Sequence, residues 1–313
     1  MGITRSQVYD LFRSDDLIGL GMEADSVRHA LHPEGVVTYS LDRVADFDLN
    51  DPISEAARGS LDDCISAIVS TGSSGVFLRF SHPVLSDEIE ARIRAIRTSF
   101  AQISLTGILT PEYLNAEKAL DRSIPDSVRR LRDAGLDSIL CHPLTIAGGA
   151  ESAAERRDAA AWMQIHRAAH QLGMRTVATV VVGAGESVKD RVAYLDAIRR
   201  LQEETAGFTA FVPYCTKLDR ALDETTGIDY LKTLAISRLY LDNVEHIQAT
   251  WAAQGLKVLQ MGLRFGADDA GSVMSHEPGR AAATTEEELR RLIRDAGFQP
   301  VQRDAMYRTM YLN

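Results

Sequence analysis

Cysteine is scarce in this chain of 313 residues, which contains only Cys64, Cys141 and Cys215. Neighbouring cysteines are 77 and 74 positions apart, so the sequence has no short loop in which several thiolates would bind one iron–sulfur cluster. The spacing also shows no disulfide pattern, and unpaired thiols are typical of a reducing compartment. We therefore expect a cytoplasmic protein whose cysteines are small core residues.

Two further absences exclude classes of partner. The longest apolar run surrounds residues 177–182, whereas a membrane helix needs roughly 18 to 20 apolar residues. The N-terminus lacks the basic and then apolar plan of a secretory signal. The formal net charge is −10, and no block of lysine or arginine is present to follow phosphates. We expect a small-molecule ligand and neither a membrane nor nucleic acid.

Short runs rich in β-branched residues alternate with helical patterns along the whole chain. Helix starts are marked by Ser60, Ser86, Ser187 and Thr285, because their hydroxyls accept hydrogen bonds from the free amides of a first turn. Near-continuous apolar strands favour a parallel sheet of the α/β class, and eight repeats favour a (β/α)8 barrel over an open doubly wound sheet. The predicted strands cover residues 36–41, 75–80, 102–106, 137–141, 176–182, 208–212, 245–249 and 257–263.

The pattern before the first strand indicates a separate helical element. Residues 1–34 contain two short helical patterns, near residues 6–12 and 26–31, which we expect to cover the bottom of the barrel as a cap. No linker rich in glycine, proline or serine divides the rest of the chain. Residues 35–313 are therefore predicted to form one barrel domain with a C-terminal extension.

Polar residues at the predicted strand ends are the site candidates, since parallel barrels carry their active sites at the C-terminal ends of the strands. The acid and base candidates are His82, Glu186, Tyr214 and His246. The expected ligand contacts are Asp42, Arg43, Arg79, His142, Gln248, Trp251, Gln260 and Arg264. Asp42 and Arg43 either form an ion pair that positions a substrate or simply pair at the rim.

His246 and Gln248 are two positions apart and therefore face the same side of a strand. An outward direction would place both against the apolar helix layer, so we expect them to point inward. His82, His142 and His246 lie on different strand ends and form a candidate metal triad. However, His82 and His142 precede prolines, where a turn explains them, and we expect no metal.

Three long segments carry a family resemblance: GFTAFVPY at 207–214, RLYLDNVEHIQATWAAQGLKVLQMGLRFGADDAGSV at 238–273, and TEEELRRLIRDAGFQPVQRD at 285–304. They resemble the radical S-adenosylmethionine (SAM) enzymes of the futalosine route to menaquinone, of the dehypoxanthine futalosine cyclase and aminofutalosine synthase type. The likeness extends from about residue 36 to 308. It implies a radical SAM barrel, which agrees with the eight-strand pattern.

The chain departs from this family at the cofactor end. The positions of the family's CxxxCxxC loop fall near Asp51, Glu55 and Arg58, and none is a thiolate. The family's GGxHP turn is RFSHP, with Arg79 and Phe80 at the glycine positions. Its GGGAE stretch is CHPLT at 141–145, and GHxET is GAGES with Glu186 kept. Four cofactor elements are therefore altered together, whereas the elements that resemble the substrate end stay recognisable. Even there, GANDFG is GADDAG, with Asp268 and Ala270 as the changes.

Radical cleavage of SAM needs an electron from a cluster, so we do not expect that chemistry here. Three functions remain open. The favoured one is a non-radical enzyme, a lyase or transferase that takes a nucleoside-like or aromatic substrate, with SAM bound in a non-radical mode as an option. The others are a non-catalytic subunit in an oligomer with a true radical SAM homologue, and a metabolite-binding protein. Fold alone does not choose among them.

Overall fold

A computed structural model describes residues 2–47, 58–80, 86–109, 111–141, 153–183, 185–215, 226–252, 254–273 and 284–310. The helices in these ranges are α1 Arg5–Arg13, α2 Leu17–Leu31, α3 Arg58–Ser70, α4 Ser86–Ser99, α5 Pro111–Ala119, α6 Ile124–Ala134, α7 Ala153–Gln171, α8 Val188–Thr205, α9 Gly227–Tyr240, α10 Leu256–Gly262 and α11 Glu286–Asp295. None of them is long and apolar enough to cross a bilayer.

The strands are β1 Val36–Ser40, β2 Arg43–Phe47, β3 Gly75–Phe80, β4 Ser104–Leu109, β5 Ser138–Cys141, β6 Arg175–Val181, β7 Phe208–Tyr214, β8 His246–Ile247, β9 Asp269–Ser272 and β10 Gln299–Gln302. Seven of them, β2 to β8, form one parallel sheet in chain order. The other three pair in parallel in the order β10–β1–β9.

Two connections close these sheets into a barrel. A bridge between Gln248 and Asp269 links the end of β8 to β9. On its other edge, β9 pairs with β1. Only Leu41 and Asp42 separate β1 from β2, which begins the seven-stranded sheet. The first strand of the barrel therefore has two halves, one paired with β9 and the other with β3. The parallel strands form a closed ring with the helices outside, which confirms the predicted barrel.

Local sequence explains the helix starts. The hydroxyls of Ser187 and Thr285 accept hydrogen bonds from Asp190 N and Glu288 N, so these two of the four predicted caps are confirmed. Ser60 lies inside α3 instead, and Ser86 is the first residue of α4. The N-terminal segment is more helical than predicted, since α1 and α2 cover most of residues 5–31. Both helices pack on α9, and α1 also contacts α8. The cap predicted for residues 1–34 thus consists of helices packed on the outer helical layer.

The last predicted strand is wrong. Residues 257–262 belong to α10, Leu263 is its C-cap, and the strand that completes the ring is β9. Leu256, Leu259 and Leu263 are spaced by three and four positions, which is the repeat of a helix face and agrees with full burial of Leu259 and Leu263. The sequence Asp-Ala-Gly-Ser of β9 contains no β-branched residue, so propensity gives it no strand signal.

Gly266 lies where α2, α9 and the turn before β9 meet, and we predict that Gly266→Ala lowers the free energy of unfolding by about 3 kcal/mol. Its φ is +93°, and an added Cβ would lie 2.7 Å from the Cβ of Arg238 and 3.1 Å from that of Ala24. The matched control is Gly173→Ala, where φ is +78° but no atom lies within 4 Å. The control should cost only about 1 kcal/mol. Urea unfolding measures both, and equal losses would contradict the packing argument.

Candidate functional site

Charged and polar side chains gather inside the N-terminal half of the barrel, where β8 and β9 begin. We call this group the floor network. Its members are His32, Thr38, Asp42, Arg238, His246, Gln248, Asp268, Asp269, Arg303 and Tyr307. Most are buried, so every charge in the group needs a partner.

Asp268 is the centre of the lower layer of the floor network. One carboxylate oxygen, Oδ1, accepts hydrogen bonds from the amide of Ile247, at 2.8 Å, and from the guanidinium of Arg238. The other, Oδ2, accepts from Nδ1 of His246 at 2.6 Å, and Nε2 of His32 lies 3.4 Å away. One carboxylate therefore joins the helix α9, the strand β8 and the segment after α2.

These contacts fix the charges of the lower layer. Burial alone would raise the pKa of Asp268, but the charge of Arg238 and the hydrogen bond from His246 outweigh it and hold the pKa at about 2. Burial likewise would lower the pKa of His246, yet the hydrogen bond and charge of Asp268 raise it. The site therefore favours an imidazolium on His246 beside an ionised Asp268.

Asp269 is the centre of the upper layer. Its carboxylate accepts hydrogen bonds from Thr38 Oγ1 at 2.6 Å, from Gly271 N at 2.8 Å and from the guanidinium of Arg303, whose Nη2 lies 3.0 Å from Oδ1. Burial would lower the pKa of Arg303, but the charge of Asp269 raises it. This ion pair ties the residue after β10 to the start of β9.

Four planar groups connect the two layers in a stack. The rings of His32 and His246 lie 5.3 Å apart at 21°, and the rings of His246 and Tyr307 lie 5.2 Å apart at 24°. The guanidinium carbon of Arg303 lies 3.7 Å from the centroid of Tyr307. The hydroxyl of Tyr307 donates to Oε1 of Gln248 at 2.9 Å. His246 thus stacks on the ring of Tyr307 and Gln248 accepts from its hydroxyl, so both side chains contact the same residue, as a shared direction requires.

Asp42 is fully buried between β1 and β2, and one of its oxygens has no hydrogen-bond partner among the residues that the structure describes. Its Oδ1 accepts a 3.3 Å hydrogen bond from Ser73, whereas Oδ2 accepts none from these residues. Burial raises the pKa of Asp42 to about 6, although the nearby charge of Arg303 works in the opposite direction. A carboxyl that titrates near neutral pH inside a barrel is a candidate for ligand binding or proton transfer.

His32, His246 and Asp268 offer donor atoms within 4.8 Å of one another, which is a spacing that a metal ion requires. However, the two imidazoles are nearly parallel, so their nitrogens do not converge on one point as tetrahedral ligands do. Arg238 also donates to Asp268 and to the carbonyl of Glu245, so its guanidinium already binds the carboxylate that a metal ion would need. The group fits an imidazolium–carboxylate pair better than a metal centre.

The two cysteines whose side chains are described do not come together. Cys141 ends β5 and Cys215 follows β7, so β6 lies between them. Neighbouring strands are about 4.8 Å apart, so two strand spacings alone separate the backbones by about 10 Å. The registers add an offset along the strands, since Leu140 pairs with Val177 whereas Tyr214 pairs with Val181. Both side chains are buried, and burial raises the pKa of the Cys141 thiol. Cys64 belongs to the outer helix α3.

Several predicted site residues are engaged elsewhere. Glu186 accepts hydrogen bonds from Gly183 N and Arg191, so its carboxylate shapes the turn before α8. Trp251 Nε1 donates to Ser272 O and ties the exit of β8 to β9. Tyr214 ends β7 beside Val181, and Arg79 lies on β3 between Asp46 and Ile108. No ion pair joins Asp42 to Arg43 in the described chain, and Arg43 Nε has no partner there. His82 and His142 lie outside the described residues.

Gln260 and Arg264 do not lie at the barrel mouth as predicted. Because the segment is α10 rather than a strand, Gln260 faces α11 and donates to Leu292 O at 3.4 Å. Arg264 is exposed, donates to Ala296 O at 2.9 Å and lies over the ring of Phe298. Both residues hold α11 against the outer layer. The prediction that they contact a ligand is therefore wrong, and both make packing contacts instead.

Sequence reasoning missed most partners of His246 and Gln248. Asp269 stands within GADDAG, and Arg303 within QPVQRD, so the resembling segments contained them. His32, Arg238 and Tyr307 gave no local signal, because they are brought to the floor by a helix end, a helix face and a C-terminal turn. Arg238 is a charged residue that is fully buried on a helix, which is rare without a partner, but this burial is known only from the structure.

We predict that His246→Gln costs about 2 kcal/mol of unfolding free energy at pH 6, because it removes a charged, buried hydrogen bond. A folded-state pKa raised above the unfolded value stabilises the fold at low pH, and this stabilisation is lost as pH rises through the folded pKa. The cost should therefore shrink by pH 9. The control is His29→Gln, on an exposed position of α2. A cost that grows with pH would contradict the imidazolium.

We predict that Asp42→Asn stabilises the protein at neutral and higher pH. The pKa of Asp42 is about 6 in the fold, so the burial of its charge becomes more costly as pH rises from the unfolded pKa through the folded one. The gain should be small near pH 4 and reach about 3 kcal/mol above pH 7. Thermal unfolding across this range measures it, with Asp63→Asn on the exposed face of α3 as control. A loss of stability at pH 8 would refute the assignment.

Comparisons with known proteins agree with the segments that carry the resemblance. A protein-family model described as the CofH/MqnC C-terminal region matches residues 205–312. A cyclic dehypoxanthine futalosine synthase of Streptomyces coelicolor is 31% identical over 97% of this chain and 85% of its own length. An aminodeoxyfutalosine synthase of Thermus thermophilus is 34% identical over 69% of this chain and 63% of its own.

Among solved structures, methylornithine synthase (PylB) is similar in fold. It matches with a TM-score of 0.68 over 96% of this chain and 94% of its own, at 13% identity. This likeness concerns the fold alone, and it agrees with the closed ring of parallel strands. Together with the sequence relatives, it shows that this chain belongs to the radical SAM family of the cyclic dehypoxanthine futalosine and aminodeoxyfutalosine synthases.

Proposed function

We propose that this chain is a radical SAM family member that works without a [4Fe–4S] cluster and binds a nucleoside-like or aromatic small molecule in its barrel. It catalyses a non-radical reaction in quinone or specialised metabolism, and SAM bound in a non-radical mode is one candidate ligand. The observation that carries the proposal is a contrast between the sequence and the interior of the barrel. The sequence lacks the cysteine loop, whereas the interior has a network of hydrogen-bonded polar side chains.

The placement of the cysteines supports the first half of the proposal. A [4Fe–4S] cluster in this family needs three thiolates within one short loop. Cys141 ends β5 and Cys215 follows β7, which is not its neighbour, and Cys64 lies on an outer helix. Both Cys141 and Cys215 are buried, and burial disfavours the thiolate of Cys141 further. These three positions do not fit the ligand set of the cluster.

The floor network supports the second half. Asp42 has a pKa of about 6, in the range that acid–base catalysis at neutral pH uses, and the hydrogen bond and charge of Asp268 raise the pKa of His246. Within the described residues Asp42 Oδ2 has no hydrogen-bond partner, and Gln248 is only partly buried. The names of the relatives refer to futalosine compounds, which makes a nucleoside-like ligand the first class to test.

One observation favours a second candidate, a subunit that pairs with a cluster-bearing homologue. Ile18 and Met22 are 74% and 68% exposed and lie four positions apart on α2. Residues four apart share a helix face, so α2 presents two large apolar side chains to solvent. Exposed apolar faces of this kind are typical of protein contacts.

Anaerobic reconstitution with iron and sulfide tests the proposal, and we expect substoichiometric iron without the visible absorbance of a cluster. A variant with all three cysteines changed to serine is the control, because adventitious iron would bind to both proteins alike. Stoichiometric iron and sulfide that disappear in the control would overturn the cluster-free proposal.

Native mass spectrometry of the same preparation separates the two candidate functions. A retained molecule of nucleoside mass on the chain alone supports the enzyme. A complex with a cluster-bearing homologue, lost in Ile18→Ser/Met22→Ser, supports the subunit instead.

A further inference from the structure

Tyr307 has a backbone conformation that its side chain disfavours. Its φ is +63°, in the left-handed region where glycine is common and bulky residues are rare. Such a residue costs about 1 to 3 kcal/mol and persists only when its surroundings hold it there. Tyr307 is buried, so its neighbours supply that restraint.

The turn that carries Tyr307 is held from both ends. The carboxylate of Asp304 accepts hydrogen bonds from Met306 N at 2.8 Å and from Arg308 N at 2.9 Å. The amide of Tyr307 donates to Asp304 O at 3.1 Å. An antiparallel bridge between Arg303 and Thr309 closes the turn. These bonds account for the strained backbone and aim the ring of Tyr307 into the floor network.

The ring of Tyr307 lies between two cationic groups. The guanidinium of Arg303 is 3.7 Å from its centroid, and the imidazole of His246 stacks on it at 5.2 Å. The face of an aromatic ring attracts cations, by about 1 kcal/mol or more when water is excluded. The ring of Tyr307 therefore stabilises the charged form of His246, as Asp268 also does.

The hydroxyl of Tyr307 fixes the orientation of Gln248. A phenol hydroxyl donates to Oε1 at 2.9 Å, and Nη2 of Arg303 lies 3.5 Å from the same oxygen. Because both neighbours are donors, the atom between them is the carbonyl oxygen, and the NH2 group points the other way. Nε2 approaches Gly271 so closely that an added Cβ there would lie 2.8 Å from it.

We propose that Tyr307 is a positioning residue that holds the amide of Gln248 with its NH2 group towards the ligand and so selects a ligand with a carbonyl acceptor. Within the described chain, Nε2 of Gln248 makes no hydrogen bond, and the side chain is partly exposed. A fixed donor with no protein acceptor recognises an acceptor on a bound molecule. The inference rests on the proposed function for the existence of that ligand.

The full-length chain and its Tyr307→Phe and Tyr307→Leu variants test the inference. Phe keeps the ring and removes only the hydroxyl, so NMR should show the Gln248 amide losing its fixed orientation while the His246 titration is unchanged. Leu removes the ring, so the titration of His246 should move to lower pH. Leu is the variant with the greater risk of unfolding, and Phe alone keeps the test decisive. An ordered Gln248 amide in Tyr307→Phe would overturn the positioning role.

Titration with inosine and adenosine tests the ligand preference, because the two nucleosides carry a carbonyl and an amine at the same position of the base. We expect inosine to bind about tenfold more tightly, as one hydrogen bond allows, and Tyr307→Phe to abolish the difference. Equal affinities in the wild type would overturn the acceptor preference. Absence of binding by both, with the NMR effects intact, would overturn the preference and count against the proposed function, while the positioning of Gln248 by Tyr307 would stand.

Discussion

The carboxylate of Asp268 is the constraint on which the closure of the barrel depends. β8 has only two residues, so its ladder hydrogen bonds cannot hold the seam between β8 and β9 unaided. Asp268 accepts from the amide of Ile247 and from His246 on one side of that seam, and from Arg238 on α9 outside it. Removal of one member of such a buried pair costs about 3 to 5 kcal/mol, because the other charge is left unpaired. The hydrogen bonds and ion pairs of Asp268 therefore stabilise the seam at the point where β8 is too short to do so.

The upper layer of the floor network depends on the lower layer. His246, once fixed by Asp268, provides the surface on which Tyr307 stacks, and Tyr307 in turn holds Gln248 beside the Asp269–Arg303 pair. The C-terminal turn is therefore part of the interior of the barrel rather than an appendage. This order shows that the polar interior is held together by carboxylates, cations and aromatic rings. The floor network makes no use of a thiolate.

The sequence predicted what is local and periodic. The parallel barrel, the caps at Ser187 and Thr285 and the shared side of His246 and Gln248 follow from spacing and hydroxyl chemistry. It failed where a short element has no propensity signal. β9 consists only of Asp, Ala, Gly and Ser, whereas the segment of α10 is apolar. The sequence therefore predicts the eighth strand in the segment of α10, and the same error predicts Gln260 and Arg264 at the barrel mouth. The contacts among His32, Arg238 and Tyr307 join positions far apart in sequence, and only the fold brings them together.

The titration of His246 tests the central claim most directly, because the hydrogen bond and charge of Asp268 raise the pKa of His246 in spite of its burial. Side-chain nitrogen NMR of the intact protein through a pH series reports this titration and which ring nitrogen keeps its proton. The account predicts that His246 titrates at a higher pH than a free histidine and that Nδ1 keeps its proton towards Asp268 throughout. Titration at or below the pH of a free histidine, or a bare Nδ1 in the neutral ring, would contradict it.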